Sequence, residues 1–110
     1  MTTVYKMWCG YRDHFPKKAR YSLGDKIDGL FLQILELLFV ASYQSKDEKE
    51  RTLEKALHAL DLLKFFLRIS WEIGALDMNK FTELSGSVYE IGKMVGGWKK
   101  GLVTKTPSRM

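Results

Sequence analysis

The chain offers two histidines, His14 and His58, and one cysteine, Cys9, as the side chains most suited to catalysis or metal binding. His58 lies one helical turn from Glu54 and from Asp61, which imitates a metal-binding face. A di-iron bundle, however, needs Glu-x-x-His on two helices plus two further glutamates. Tyr11 and Lys55 stand three residues before the two histidines, so neither completes that pattern. The Glu54, Lys55, His58 and Asp61 group reads instead as the charged outer face of a helix, and no metal or other cofactor is expected. Cys9 has no histidine close by to activate it and reads as a packed or incidental thiol. No P-loop or glycine-rich phosphate fingerprint is present. The chemistry left is electrostatic: Lys17, Lys18, Arg20, Lys26, Lys64, Arg68, Lys93, Lys99 and Lys100, interleaved with Tyr21 and Trp98, form the candidate nucleic-acid-binding set. Contacts from such residues to phosphates are sequence-independent and salt-sensitive. The plainer reading is a solvated helix surface. No catalytic residue is expected, and the chain reads as a non-enzyme.

The distribution of charge strengthens the electrostatic reading. The net charge is +5 over 110 residues. Residues 1–26 carry +4, residues 27–92 carry −4, and residues 93–110 carry five basic residues and no acid. Basic ends around an acidic middle suit a polyanion or an acidic partner surface, although lysine-rich ends also serve solubility alone. The apolar share of 45% and only two prolines argue against disorder. The longest purely apolar run, Leu37 to Ala41, is far too short to span a bilayer. Residues 1–10 have no apolar core of a signal peptide, and one cysteine precludes an internal disulfide framework. These features predict a cytoplasmic address with no membrane association.

Three strongly periodic helices must position the basic residues. Ser22-Leu23-Gly24-Asp25 matches a reciprocal capping pattern, predicting a helix from Ser22 to about Gln44 with Ile27, Leu30, Phe31, Ile34, Leu35, Leu38 and Ala41 on one face. Ser45-Lys46-Asp47-Glu48 repeats the device ahead of Leu53, Ala56, Leu57, Leu60, Leu63, Leu67 and Trp71. A second row, Leu62, Phe66, Ile69 and Ile73, widens that apolar face enough to predict a central helix or a contact between copies. Gly74 is expected to end this helix and Asp77 to cap the next. The seam Phe81, Leu84, Val88, Ile91, Val95 and Trp98 keeps the three-four spacing of a left-handed bundle. A weaker helix is expected over residues 3–14, with Lys17 to Tyr21 as a turn.

Short links make successive helices antiparallel, so the expectation is an all-α, up-and-down antiparallel four-helix bundle over residues 1–102. Residues 103–110 are expected to be a flexible basic tail. Such a bundle would put the Lys17–Lys26 and Lys99–Lys100 groups at opposite poles, where only an assembly could join them. Gly92, Gly96 and Trp98 are assigned to packing between helices or subunits, because interior helical glycines cost about 1 kcal/mol each and call for a reason. Fraying of the helix end at Gly96-Gly97 is the competing explanation.

Three blocks carry a family resemblance. Phe15-Pro16-Lys17-Lys18-Ala19-Arg20-Tyr21-Ser22-Leu23-Gly24-Asp25-Lys26-Ile27, Leu62-Leu63-Lys64-Phe65-Phe66-Leu67-Arg68 and Glu90-Ile91-Gly92-Lys93-Met94-Val95-Gly96-Gly97-Trp98-Lys99 resemble accessory variability determinant proteins of diversity-generating retroelements. The resemblance implies a four-helix bundle assembled as a basic homopentamer, without activity of its own. It also implies binding to a reverse transcriptase and to RNA and/or DNA, the enzyme copying a template RNA with errors at adenines. By position, Arg20, Lys26, Lys64, Arg68 and Lys93 match the family's recurring basic residues. The related intervening-sequence proteins of ribosomal RNA genes share the bundle, but their usual Ser-Ile-Pro stretch is replaced here near Leu30-Phe31-Leu32-Gln33-Ile34. A protein-interaction bundle with no retroelement role stays open as the alternative.

Overall fold

Val4 and Trp8 stand one helical turn apart on helix α1 (Thr2–Arg12), and both are buried. The computed structural model describes residues 1–105, with side chains to residue 102. Trp8 is fully enclosed, its ring 5.3 Å from Phe15 edge to face and 6.0 Å from Phe31 in a stacked arrangement. Its indole N–H points to the Asp28 carboxylate at 3.3 Å, and the Tyr5 hydroxyl donates to the same oxygen at 3.0 Å. Burial, with the hydrogen bonds to Cys9 and Asp28, pushes the Tyr5 hydroxyl above its usual pKa. This carboxylate clasp fastens α1 to the next helix. Helix α1 ends at Arg12 instead of residue 14, as the chain turns through His14 and Phe15 into Pro16.

The next helix departs from expectation at its start. It opens at Lys17, not at Ser22, so the expected turn over Lys17 to Tyr21 is helical. Pro16, with φ −54° and ψ 141°, has the extended backbone of a helix-entry residue. The helix runs as Lys17–Ala19, widens into a π-helical turn at Arg20–Gly24, and continues as Asp25–Ala41; together these are α2. Ser22 does not cap, and its hydroxyl leans back to the Lys18 carbonyl at 3.4 Å. Beside the widened turn, the Arg12 side chain lies against Gly24 and its guanidinium pairs with Asp25. Ile27, Leu30, Phe31, Ile34 and Ala41 are buried as their spacing predicts, and the helix stops at Ala41, short of Gln44.

Helix α3 (Lys46–Glu72) begins where the second capping pattern places it, with Asp47 and Glu48 favourably set at the positive helix end. The Ser45 hydroxyl donates to the Glu48 carboxylate at 3.1 Å instead of accepting from the backbone. Leu53, Ala56, Ala59, Leu60, Leu63 and Leu67 are buried. At the far end Gly74 adopts φ +79°, and the backbone N–H groups of Ala75 and Leu76 return to the Ser70 carbonyl at 2.8 and 3.1 Å. Asp77 caps as expected, accepting the Lys80 backbone N–H at 2.9 Å. Helix α4 (Met78–Lys105) buries Leu84, Val88, Ile91 and Val95. It runs straight through Gly96-Gly97 to Lys105, so the glycines do not mark its end, and the first residues of the expected tail are helical. The remainder of that tail, residues 106–110, lies outside the described residues.

Helix α2 packs along α3, α3 along α4, and α1 closes the bundle against α2 and α4. The described residues are all-helical, four helices in a body of 55 × 21 × 19 Å; a helix as long as α4 spans about 42 Å and sets the long dimension. Trp71 stacks on Phe81 at 5.3 Å across the α3–α4 link, and the Tyr11 hydroxyl donates to Glu83 from α1 to α4. That hydrogen bond is the largest cause holding the Tyr11 hydroxyl above its usual pKa.

Two glycines give opposite predictions. Among the described residues nothing lies within 4 Å of a β-carbon built on either Gly74 or Gly86. Gly74→Ala is therefore a backbone penalty alone, expected to cost about 1–2 kcal/mol for the left-handed conformation. Gly86→Ala, inside α4, is expected to gain about 1 kcal/mol. Paired thermal melts check both signs, and a Gly74→Ala variant as stable as wild type would contradict the left-handed stop.

Candidate functional site

Lys17 and Lys18 are exposed at the start of α2, but Arg20 is drawn inward. Its guanidinium donates to the backbone carbonyls of Asp13 and Phe15 at 3.1 and 3.3 Å, so it braces the α1–α2 link. Lys26 is exposed, with its ammonium 5.8 Å from the Phe66 ring centre.

The α3–α4 face brings the expected residues closest together. Lys64 on α3 and Lys93 on α4 each place an ammonium 5.7 Å from the centre of one ring, Tyr89. Arg68 stands one turn beyond Lys64 and pairs with Glu72 at 3.1 Å, while Lys64 reaches Asp61 at only 3.7 Å. Exposed pairs of this kind contribute little, of order 0–1 kcal/mol, so both cations can exchange an acid for a phosphate. Tyr89, exposed itself, was missed from sequence. Its spacing of four from Lys93 was visible, but Lys64 arrives only through packing.

Lys99 is half-buried and Lys100 exposed. They follow Trp98, over which Lys49 sits at 5.5 Å, which places them beside the first turns of α3. The Lys17–Arg20 group belongs instead to the α1–α2 link, and the two groups do not meet within one chain. A β-carbon on Gly92 would meet only the Lys64 ammonium, at 3.9 Å, and one on Gly96 would meet nothing within 4 Å. Among the described residues no close helix approach accounts for these glycines. Trp98 lines a pocket of about 220 Å³ with Met1, Leu38, Ile91, Met94 and Val95.

A larger groove, about 530 Å³, lies between α2 and α3 and is lined by Gln33, Arg51, Glu54, Lys55, His58, Ala59 and Leu62. His58 thus faces a groove of mixed charge, and among the described residues no group of three or more His, Cys, Asp or Glu side chains could hold a metal ion. Cys9 is exposed. Among the described residues no helix is long and apolar enough to cross a membrane.

Much apolar surface is left open. Leu62 and Phe65 on α3 and Ile73 just past its end are exposed, as are Phe39 and Tyr43 at the end of α2 and Met94 on α4. The second row on α3 is therefore only half covered by its own chain: Phe66 and Ile69 are half-buried.

These features define a class: a small four-helix bundle whose outer faces carry clustered cations and uncovered apolar side chains. A family model described as bAvd-like matches residues 4–102, and the chain belongs to that family. The three sequence blocks all lie within the matched span. No curated protein and no solved structure matches the chain.

Proposed function

We propose that this protein is a cytoplasmic, non-catalytic accessory factor of a diversity-generating retroelement. It is an up-and-down antiparallel bundle that associates with copies of itself, as a pentamer on the family resemblance. It binds RNA and/or DNA through its basic residues and holds a reverse transcriptase during mutagenic cDNA synthesis. The family match over residues 4–102 carries the reading. The convergence of Lys64, Arg68 and Lys93 on one face supports the nucleic-acid part. The uncovered apolar residues Leu62, Phe65 and Ile73 support contacts between copies, as do the open positions at Gly92 and Gly96 and the half-exposed Trp98.

The same apolar surface favours a second reading, a protein-interaction bundle whose basic ends only aid solubility. The test is co-expression with the reverse transcriptase of a diversity-generating retroelement, together with gel shifts on RNA and DNA at low salt. Co-purification and a shift are the expected results. A chain that stays monomeric by light scattering at micromolar concentration and shifts neither nucleic acid would sink the scaffold and leave the interaction module.

A further inference from the structure

We infer that Tyr89 is a stacking platform for an unpaired nucleobase, so that the α3–α4 face selects single-stranded nucleic acid over duplex. The inference rests on the proposed nucleic-acid role of that face and adds to it the form of the ligand. Tyr89 is 56% exposed, and two ammonium groups from two different helices flank its ring at the same 5.7 Å. Lys26 with Phe66, Lys49 with Trp98 and Lys80 with Tyr11 make further lysine–ring pairs, at 5.8, 5.5 and 5.5 Å.

An open aromatic ring with two cations close to it matches the chemistry of a single strand, in which each base is bracketed by phosphates. Stacking on an aromatic side chain tolerates any base, since every base has a π-face, while the cations follow the backbone. A duplex cannot use the ring in this way, because its base faces are covered by their neighbours in the stack. The lysines have freedom to move from ring to phosphate. Lys64 holds Asp61 only at 3.7 Å, and at Gly92 a side chain is absent where its β-carbon would come within 3.9 Å of the Lys64 ammonium. Arg68, one turn further along α3, extends the positive track beyond the ring.

The experiment is fluorescence anisotropy at low salt with a labelled single-stranded oligonucleotide and the duplex of the same sequence, using wild type, Tyr89→Ala and Tyr89→Phe. Wild type is expected to bind the single strand more tightly. Tyr89→Ala should weaken single-strand binding by roughly 5- to 150-fold, the range of one lost base stack, and duplex binding by less than about twofold. Tyr89→Phe, which keeps the ring, should restore single-strand affinity. Equal losses on both ligands, or no loss on the single strand, overturn the platform while leaving general phosphate binding intact. Wild type that binds duplex but not single strand does the same. Wild type that binds neither removes this inference and the nucleic-acid role together. Matching circular dichroism melts establish that the exposed substitution leaves the fold in place.

Discussion

Trp8→Ala should bring the chain close to unfolding. Trp8 has no exposed surface, stacks on Phe31 and meets Phe15 edge to face, so deletion of its indole empties the junction of α1 and α2. Truncating a buried Trp or Phe to Ala typically costs about 3–5 kcal/mol. The Asp28 carboxylate also loses its indole donor and keeps the Tyr5 hydroxyl. Against a total stability of about 5–15 kcal/mol for a domain, that is at least about a fifth of the margin and up to all of it. The melting temperature is expected to fall by more than about 12 °C, measured by circular dichroism at fixed protein concentration, since association makes melting concentration-dependent. Trp8→Phe keeps much of the apolar contact but not the N–H, and should cost clearly less. If Trp8→Ala melts within about 3 °C of wild type, a shift below that of a 1 kcal/mol loss, α1 is not part of the cooperative core.

The features that could be read from sequence were those decided by local periodicity and by caps with one partner. The seam from Leu84 to Val95 is buried as its spacing requires, and Gly74 and Asp77 respectively stop and start helices as their chemistry dictates. Ser22-x-x-Asp25 carries the same kind of cap pattern and yet lies inside a helix. A local pattern does not register that Pro16 has already started the helix, nor that the Arg12 guanidinium will pair with Asp25 and lie against Gly24. The residues of the candidate site were legible as residue types but not as partners. Arg20 reads as a free cation, and in the fold its guanidinium serves two backbone carbonyls of the preceding link. Tyr89 reads as one more exposed aromatic until α3 brings Lys64 to it. Glu54, Lys55 and His58 likewise read as part of a charged outer face, and they become a groove wall only once α2 supplies Gln33 opposite.

Reversing Lys64 and Arg68 to Glu should abolish nucleic-acid binding at low salt, because each substitution replaces a phosphate partner with a charge that repels it. The slope of affinity against salt tells whether direct contacts are lost. Each phosphate neutralised contributes about −0.9 to log K against log salt on duplex, or about −0.7 on a single strand. If Lys64, Arg68 and Lys93 supply three contacts per copy, raising salt from roughly 50 to 200 mM should weaken wild-type binding by about 20- to 40-fold for each copy engaged. Residual binding by the double variant should have a slope shallower by about 1.4 to 1.8, the share of two contacts. Stability should change little, since Arg68 is exposed and Lys64 only half-buried, and the ion pairs they give up, with Asp61 and Glu72, are of the weak surface kind. A fold effect would show as a lower melting temperature. Unaltered affinity would remove Lys64 and Arg68 from the contact set. The positive surface would then lie at the helix ends, around Lys17 and Lys18 or Lys99 and Lys100, where only neighbouring copies could join the two groups.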